Sequence, residues 1–498
     1  MSRQMLSLDD RRYVWEVTQN KIRGSSWNHT IRVGVVNCID SKNTRLCRFY
    51  EVESYPTIRL FNANLEKDDL GMTIKKASSE VLQEKIIQFL IDLQKKNLGA
   101  PNWVNLLPYS SKIESIFRNV PQLVKSAVLI VEKNDSLVGS HSILDLGLYE
   151  TIYVRKIDAG SPALDYIEIL DIPAVVVIDR ETNKNHVLKG NATTREEITS
   201  MIMKEFGIVK EEPSKNISPE KDSSGKPPKG INNGTDQVYM VDIENALSNS
   251  LLNEVAVKKN ITGVRYQALV NYIDILIRYL PTRPQVLNFL KNFQNHLKKH
   301  SYITGEQLVN VIRDLQSTTS VLPEKQQWKG CLGSKPTFRG FPCGLWVTFH
   351  TLTVNAVFRE KDNPDYNPKD VIRGIHGYVK YFFTCDYCST HFQEMYKKDA
   401  ETFVQKPDDE IMWFWTSHNK VNMRLKNSAS EDPYHPKQLF PTKKNCPTCY
   451  LSHDNSFHRE NVKLYLKKLY NSTSISYDGV QALASIEDGK STSGSADK

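Results

Sequence analysis

The chain has 498 residues, enough for roughly three or four domains of ordinary size. Its net charge of +8, from 65 basic against 57 acidic residues, is thinly spread and forms no compact basic stripe, which excludes nucleic acid as a partner. No run of about 18 apolar residues occurs, so no membrane span is expected in this chain, and the opening MSRQMLSLDDRRYVW lacks the apolar core of an export signal.

In chain order, residues 9–24 read as a helix, IRVGVVNC (31–38) as a strand, NTRLCRFYEV (43–52) as a short helix and TIRLF (57–61) as a strand after Tyr55 and Pro56. That is part of a βαβ unit. The order strand, Cys38, helix, Cys47, then aromatic-Pro-Thr before a strand resembles a thioredoxin domain, in which the proline is cis and flanks the active disulfide. Taken alone, Pro56 also fits an ordinary proline that starts a strand. Such a domain carries a C-x-x-C at the start of its first helix, and none occurs before residue 385. Residues 1–98 are therefore expected to be a partial thioredoxin-like domain, truncated at its N-terminus and lacking its dithiol.

Residues 103–210 repeat the pattern without a cysteine: AVLIVE, TIYVRKI, DIPAVVVID with Pro173 in the place of Pro56, then the helix TREEITSMIMKEF. They resemble a second, redox-inactive thioredoxin-like domain. Residues 211–236, rich in Pro, Ser, Gly and Lys, read as a linker. In 237–325 apolar residues recur at three- and four-residue spacing (VYMVDIENALSNSLL, GVRYQALVNYIDILIRYL, VLNFLKNFQNHLKKH, TGEQLVNVIRDLQ), which predicts helices with a structural role. Residues 328–450 predict a four-helix bundle, with helices from about Pro342 to Arg359, Lys369 to Phe383, Cys385 to Asp399 and Asp408 to Lys426. Residues 471–498 read as a disordered tail.

The eight cysteines fall in four close pairs, Cys38 with Cys47, Cys331 with Cys343, Cys385 with Cys388 and Cys446 with Cys449, which suggests local disulfides or dithiols and an oxidising compartment. Cys385-Asp-Tyr-Cys388 opens a predicted helix, where the helix dipole favours a thiolate, and reads as a redox centre. Trp346, His350, His391, Trp415 and His418 occupy inward-compatible positions around it, and a bundle core accepts a planar cofactor between facing helices. The alternative is a zinc-binding interaction module built on two C-x-x-C pairs. Their separation far exceeds the roughly 15–20 residues of a simple ribbon, and zinc leaves the His/Trp cluster unexplained.

RGFPCGLWVTFH (339–350), YFFTCDYCSTHF (381–392), HNKVN (418–422) and Lys437-x-x-Phe440 with Cys446-Pro-Thr-Cys449 closely resemble the FAD-binding Erv/ALR domain of the quiescin sulfhydryl oxidases. The resemblance covers about residues 10 to 450. It implies a multidomain α+β fold: thioredoxin-like α/β domains, an all-α pseudo-Erv region and a four-helix-bundle Erv/ALR domain. It also implies FAD contacts at Arg339, Trp346, His350, Tyr387, His391, the stretch Trp415, Thr416, Ser417, His418, Asn419, Lys420, Val421 and Asn422, and at Lys437 and Phe440. Rings stack on or edge the flavin and adenine, the asparagines bond polar edges, and Arg339 or Lys437 neutralises the pyrophosphate. Phe440 departs from a family tryptophan, keeping the stacking face and losing the indole donor.

The resemblance assigns Cys385 to exchange with the incoming thiol and Cys388 to the flavin side. The implied substrates are reduced protein or small-molecule thiols and molecular oxygen, with hydrogen peroxide as product, in the secretory pathway (Golgi, endoplasmic reticulum or extracellular). Transfer from protein clients is expected to be impaired by the missing C-x-x-C. Cys331 with Cys343 is read as a structural disulfide and Cys38 with Cys47 as a further disulfide pair; Cys446 with Cys449 is a shuttle or a structural pair.

Overall fold

The structure is a computed structural model that describes residues 26–208 and 236–480, apart from 39, 64–65, 67, 75–76, 101–102, 191, 317–320, 324–326, 429 and 453–455. The expected helix over 9–24 and most of the linker lie outside the described residues. The fold is mixed α and β, and the chain divides into two compact units. Among the described residues, one unit holds 26–36 and 57–208, and the other holds 37–56 and 236–480.

Asn37–Pro56 folds with the C-terminal helices and carries the short helix α1 (Thr44–Phe49) and the Cys38–Cys47 disulfide. The sequence reading had placed this segment inside the first α/β domain.

In the first unit, β1 (Ile58–Leu60) and β2 (Met72–Ile74) form an antiparallel pair followed by α2 (Ser79–Lys95), a helix the sequence reading did not assign. A four-stranded sheet follows, from β3 (Ser126–Glu132), α3 (Val138–Leu146), β4 (Ile152–Asp158), β5 (Ala174–Asp179) and β6 (Asn185–Val187), closed by α4 (Arg195–Glu205). Its order is β4-β3-β5-β6, with β4 parallel to β3 and the other neighbours antiparallel.

Alternation along β3 explains the layering. Val128 and Ile130 join the cluster of α2, α3 and α4, while Leu129 and Val131 join Val176, Ile178 and Ile157 on the other face. The segment 31–38, expected as a strand, is irregular, with Val35 and Val36 62% and 51% exposed. A strand exists only through a ladder, and among the described residues β1 pairs with β2 alone. Tyr55–Pro56 and Ile172–Pro173 are both cis, as the thioredoxin resemblance implies for the first, and Phe440–Pro441 is cis as well.

The second unit is helical: α5 (Met240–Asn249, continued by a wide turn over Ser250–Val255), α6 (Gly263–Tyr279), α7 (Pro284–Lys298), α8 (Gly305–Leu315), α9 (Gly340–Arg359), α10 (Asp370–Tyr381), α11 (Asp386–Met395), α12 (Pro407–Leu425) and α13 (Arg459–Leu469). A two-stranded ribbon, β7 (Asn260–Thr262) with β8 (Tyr302–Thr304), braces α6 and α8.

The two helical stretches expected as separate domains share one core. Glycines set the close approaches. A Cβ at Gly344 on α9 would lie 3.1 Å from the Asp242 carbonyl on α5, and one at Gly374 on α10 would lie 2.8 Å from Ile275 on α6. Tyr272 and Tyr378 stack 4.2 Å apart at the latter seam.

Residues 471–480, expected as disordered, are part of this unit. Ser476 exchanges backbone bonds with Val238 and Met240, and Asn355, buried on α9, bonds Tyr470 and Ser472. The rest of the expected tail, 481–498, lies outside the described residues.

Candidate active site

Cys385 is the N-cap of α11 and is bonded to Cys388 in that helix's first turn. Both cysteines are half-buried. The Cys388 amide donates to Cys385 Sγ at 3.3 Å, so the first sulfur receives an orphan helix N–H together with the positive end of the dipole. Tyr387, between the two cysteines, and His391, one turn on, meet edge to face at 4.3 Å, and the Arg424 guanidinium lies 5.2 Å over the Tyr387 ring.

Residues four apart on a helix share a face, which is why α9 offers Trp346 and His350 together. Opposite them, α12 offers His418, whose ring stacks on Trp346 at 4.3 Å and 5° and whose Nδ1 lies 3.1 Å from His350 Nε2. Phe392 of α11 and Phe414 of α12 close the wall at 6.4 and 6.5 Å from Trp346, and Tyr470 stacks on His350 at 5.0 Å. Burial pushes His350 down to about 3. Burial, then the neighbouring His350 and Lys437, holds His418 well below its usual range. Both imidazoles are neutral at ordinary pH.

The stretch 415–422 does not act as one surface, because at 100° per residue eight positions cover the whole helix circumference. Trp415 Nε1 and Asn419 Nδ2 both donate to the Phe440 carbonyl, at 2.6 and 2.8 Å, and Asn419 Oδ1 accepts the Phe440 amide. Asn422 reaches the Gln438 carbonyl on the same side at 3.3 Å. These three residues clamp the 438–441 segment against α12. Thr416 instead bonds back to Met412, and the exposed Lys420 faces Asp399 at 3.8 Å. Ser417 is buried and Val421 half-buried. Thr416 and Lys420 are thus turned away from the cluster that the sequence reading assigned to the whole stretch.

A basic corner forms where α9 begins. Arg339 has a left-handed backbone (φ 57°), held by the Gly340 amide bonding the Cys331 carbonyl at 3.0 Å and by the Cys331–Cys343 disulfide. Burial lowers the Arg339 and Lys437 pKa values, opposed by Asp432, which acts on both. Burial, and then Arg339, also lowers that of His435. Three basic side chains therefore interact in one half-desolvated place.

Two family models match this unit: the Erv1 / Alr family over residues 343–441 and flavin adenine dinucleotide (FAD)-dependent sulfhydryl oxidase over 234–334. Mouse sulfhydryl oxidase 1 is 30% identical over 444 residues, covering 88% of this chain and 58% of that relative. Human sulfhydryl oxidase 2 is 30% identical over 478 residues, covering 92% and 66%.

The chain carries the two sulfhydryl oxidase family domains that these models describe. It spans 58% of the length of the first of these relatives. Among solved structures, the sulfhydryl oxidase fragment of human QSOX1 is 36% identical with a TM-score of 0.45, covering 49% of this chain and 99% of that one.

FAD is the cofactor of this family, and the residues present fit it. His350 Nδ1, Arg339 Nε and His435 Nε2 are buried polar atoms with no hydrogen-bond partner, at the ring wall and at the basic corner. An isoalloxazine edge and a pyrophosphate are the groups that would satisfy them. The sequence reading missed His435, Tyr470, Phe392 and Phe414. The last two were signalled by the aromatic runs STHF and WFWTSH, and Tyr470, the C-cap of α13, by its four-residue spacing from the buried Val462 and Leu466, whereas His435 lies in an irregular segment.

No metal-holding group of three or more His, Cys, Asp or Glu occurs among the described residues, and both C-x-x-C pairs of the zinc alternative are closed as disulfides. Nor is any helix among the described residues long and apolar enough to cross a membrane. The second pair differs from the first in access: Cys446 is 6% exposed and Cys449 0%, so an incoming thiol cannot reach the Cys449 sulfur. Replacing both by alanine is expected to leave dithiothreitol turnover within about threefold. Unit stability should drop by about 2 kcal/mol, the loop entropy of so short a ring. Turnover and a urea melt check this; a collapse of turnover at intact flavin content would make the pair a shuttle.

Proposed function

We propose that the chain is an FAD-dependent thiol oxidase that forms disulfides in reduced protein or small-molecule thiols, with molecular oxygen as final acceptor and hydrogen peroxide as product. The observation that carries this reading is the half-accessible Cys385–Cys388 disulfide at a helix N-terminus, on the helix that also supplies Phe392 to the Trp346/His418 wall.

A substrate thiolate attacks Cys385 Sγ, the disulfide opens, and Cys388 leaves as a thiolate. The second substrate thiol then displaces Cys385, so a substrate disulfide is released, and two electrons and two protons remain on the dithiol. The Cys388 amide and the dipole of α11 stabilise the Cys385 thiolate when it leaves. FAD, when bound, supplies a two-electron acceptor for this dithiol. Trp346 and His418 would hold its ring, His350 a polar edge, Tyr387 and His391 the side toward the pair, and Arg339, Lys437 and His435 the phosphates. Asn419, Trp415 and Asn422 act through the Phe440 segment they clamp. Four disulfides favour an oxidising, secretory-pathway location.

The 498-residue chain has no C-x-x-C ahead of Cys385 to hand electrons over internally. The expected result is ready peroxide formation from dithiothreitol and slower turnover of a reduced, unfolded protein, by roughly tenfold or more, since the advantage of a tethered carrier is lost. Equal efficiency on both substrates would refute the impaired transfer, and a colourless preparation without thiol-dependent peroxide would refute the oxidase.

A further inference from the structure

Thr384, the residue before Cys385, is 3% exposed and is gripped from two sides. Glu254, in the wide turn after α5, accepts the Thr384 amide at 2.6 Å and its hydroxyl at 2.9 and 3.1 Å. On the other side the Tyr55 amide donates to the Thr384 carbonyl at 2.9 Å, and Tyr55 pairs with Cys385 as an isolated parallel bridge. The segment carrying Tyr55 is itself anchored to the Glu254 neighbourhood. Arg48 Nε reaches the Ala256 carbonyl at 2.9 Å, Lys258 Nζ reaches the Glu53 carbonyl at 2.5 Å, and Arg265 forks onto the Glu53 carboxylate at 2.8 and 3.0 Å.

We propose that Glu254 is a positioning residue for the dithiol: from the helical region at 234–334 it fixes the backbone ahead of Cys385 and sets the thiol–disulfide equilibrium of the Cys385–Cys388 pair. The inference rests on the thiol-oxidase reading and adds a role for a residue outside the bundle that holds the pair. A carboxylate has no packing reason to be enclosed here. Its oxygens are spent on Thr384, and a glutamine would serve the same amide and hydroxyl through its carbonyl and NH2 groups without carrying charge.

Burial raises the Glu254 pKa to about 7, against the Thr384 bonds and Lys258, so its charge changes within the working range of a thiol assay. The other ionisable groups facing it are Tyr55 from the anchored segment, Tyr378 from α10 with Tyr272 of α6 behind it, and Lys258, which Glu53 and Arg265 flank. Burial pushes the three tyrosines up, so they stay neutral, and Lys258 and Glu254 are left as the groups whose charge matters. An ionised Glu254 disfavours a thiolate nearby and so disfavours the reduced pair.

The test equilibrates the purified chain anaerobically with dithiothreitol buffers, in the exchange disulfide plus dithiothreitol to dithiol plus cyclic disulfide. The fraction reduced is read by alkylation and the mass of the peptide carrying Cys385 and Cys388, at pH 6 and pH 8. Glu254→Gln is expected to match wild type at pH 6 and to favour the reduced pair about tenfold, or about 30 mV, at pH 8. Glu254→Ala is expected to depart at both pH values, and Glu254→Gln alone carries the test should the alanine variant not fold. Wild-type values for both variants at both pH values, or one equal shift for both at both, would overturn the proposal, the second by reducing Glu254 to a structural residue. A wild-type pair that does not exchange at all would instead overturn the oxidase reading.

Discussion

Cys388→Ser is expected to abolish thiol oxidation, by roughly 10³-fold or more, and Cys385→Ser to do the same, because the two sulfurs act as one unit and neither alone stores two electrons. The variants should differ in the thiol they leave. In Cys388→Ser the remaining Cys385 keeps the N-cap position, the amide bond from residue 388 and the dipole of α11. Its thiolate is stabilised, and it should react with an aromatic disulfide reagent near neutral pH. In Cys385→Ser the remaining Cys388 lies inside the first turn without the N-cap geometry and should react about tenfold more slowly. Flavin content should stay near wild type in both, since the pair is half-buried and tied to no core cluster, while the melting transition should fall by the same loop entropy, about 2 kcal/mol, as for the other four-residue ring. Turnover of dithiothreitol by either serine variant would show that electrons enter elsewhere, with Cys446–Cys449 the obvious suspect.

Removal of the His350–His418 pair is expected to have the next largest effect. The two rings share a 3.1 Å contact, and either substitution to leucine strands the remaining nitrogen in a dry place, at a cost of about 1–3 kcal/mol. The same loss applied to cofactor retention weakens FAD binding roughly 10–100-fold, measured by equilibrium dialysis of the flavin. The double variant should cost less than the sum of the singles, because no nitrogen is left without its partner.

The pH sign is fixed as well. His350 is held neutral in the folded chain, with its pKa pushed down to about 3, and protonates near 6.5 once unfolded. The unfolded chain therefore binds the extra proton, so stability is full above pH 6.5. It falls by about 1 kcal/mol between pH 6.5 and 5.5, with His418 acting in the same direction. A leucine at 350 should flatten that fall in urea midpoints; an unchanged slope would mean that other groups govern it.

What could be read from the sequence was whatever depends on neighbours along the chain. Helical periodicity located α9, α10 and α12 to within two residues, and the runs AVLIVE, TIYVRKI and AVVVID became β3, β4 and β5 because a buried sheet selects such runs wherever they occur. The aromatic, imidazole and C-x-x-C motifs were legible for the same reason: spacing on a helix puts Trp346 with His350, and Cys385 with Cys388, before anything packs.

What the tertiary structure decided was pairing across distance. IRVGVVNC had a strand's composition and no partner strand among the described residues, so it stayed irregular. The residues from Asn37 to Pro56 joined the helical unit through Arg48, Glu53 and Tyr55, single polar contacts that no periodicity announces. Trp415 to Asn422 was divided among the faces of its helix, and residues 471–480 were ordered by bonds to Val238, Met240 and Asn355. Glu254 was invisible for the plainest reason. A carboxylate in a helical stretch looks like a solvated charge until folding brings Thr384, 130 residues further along the chain, onto its oxygens.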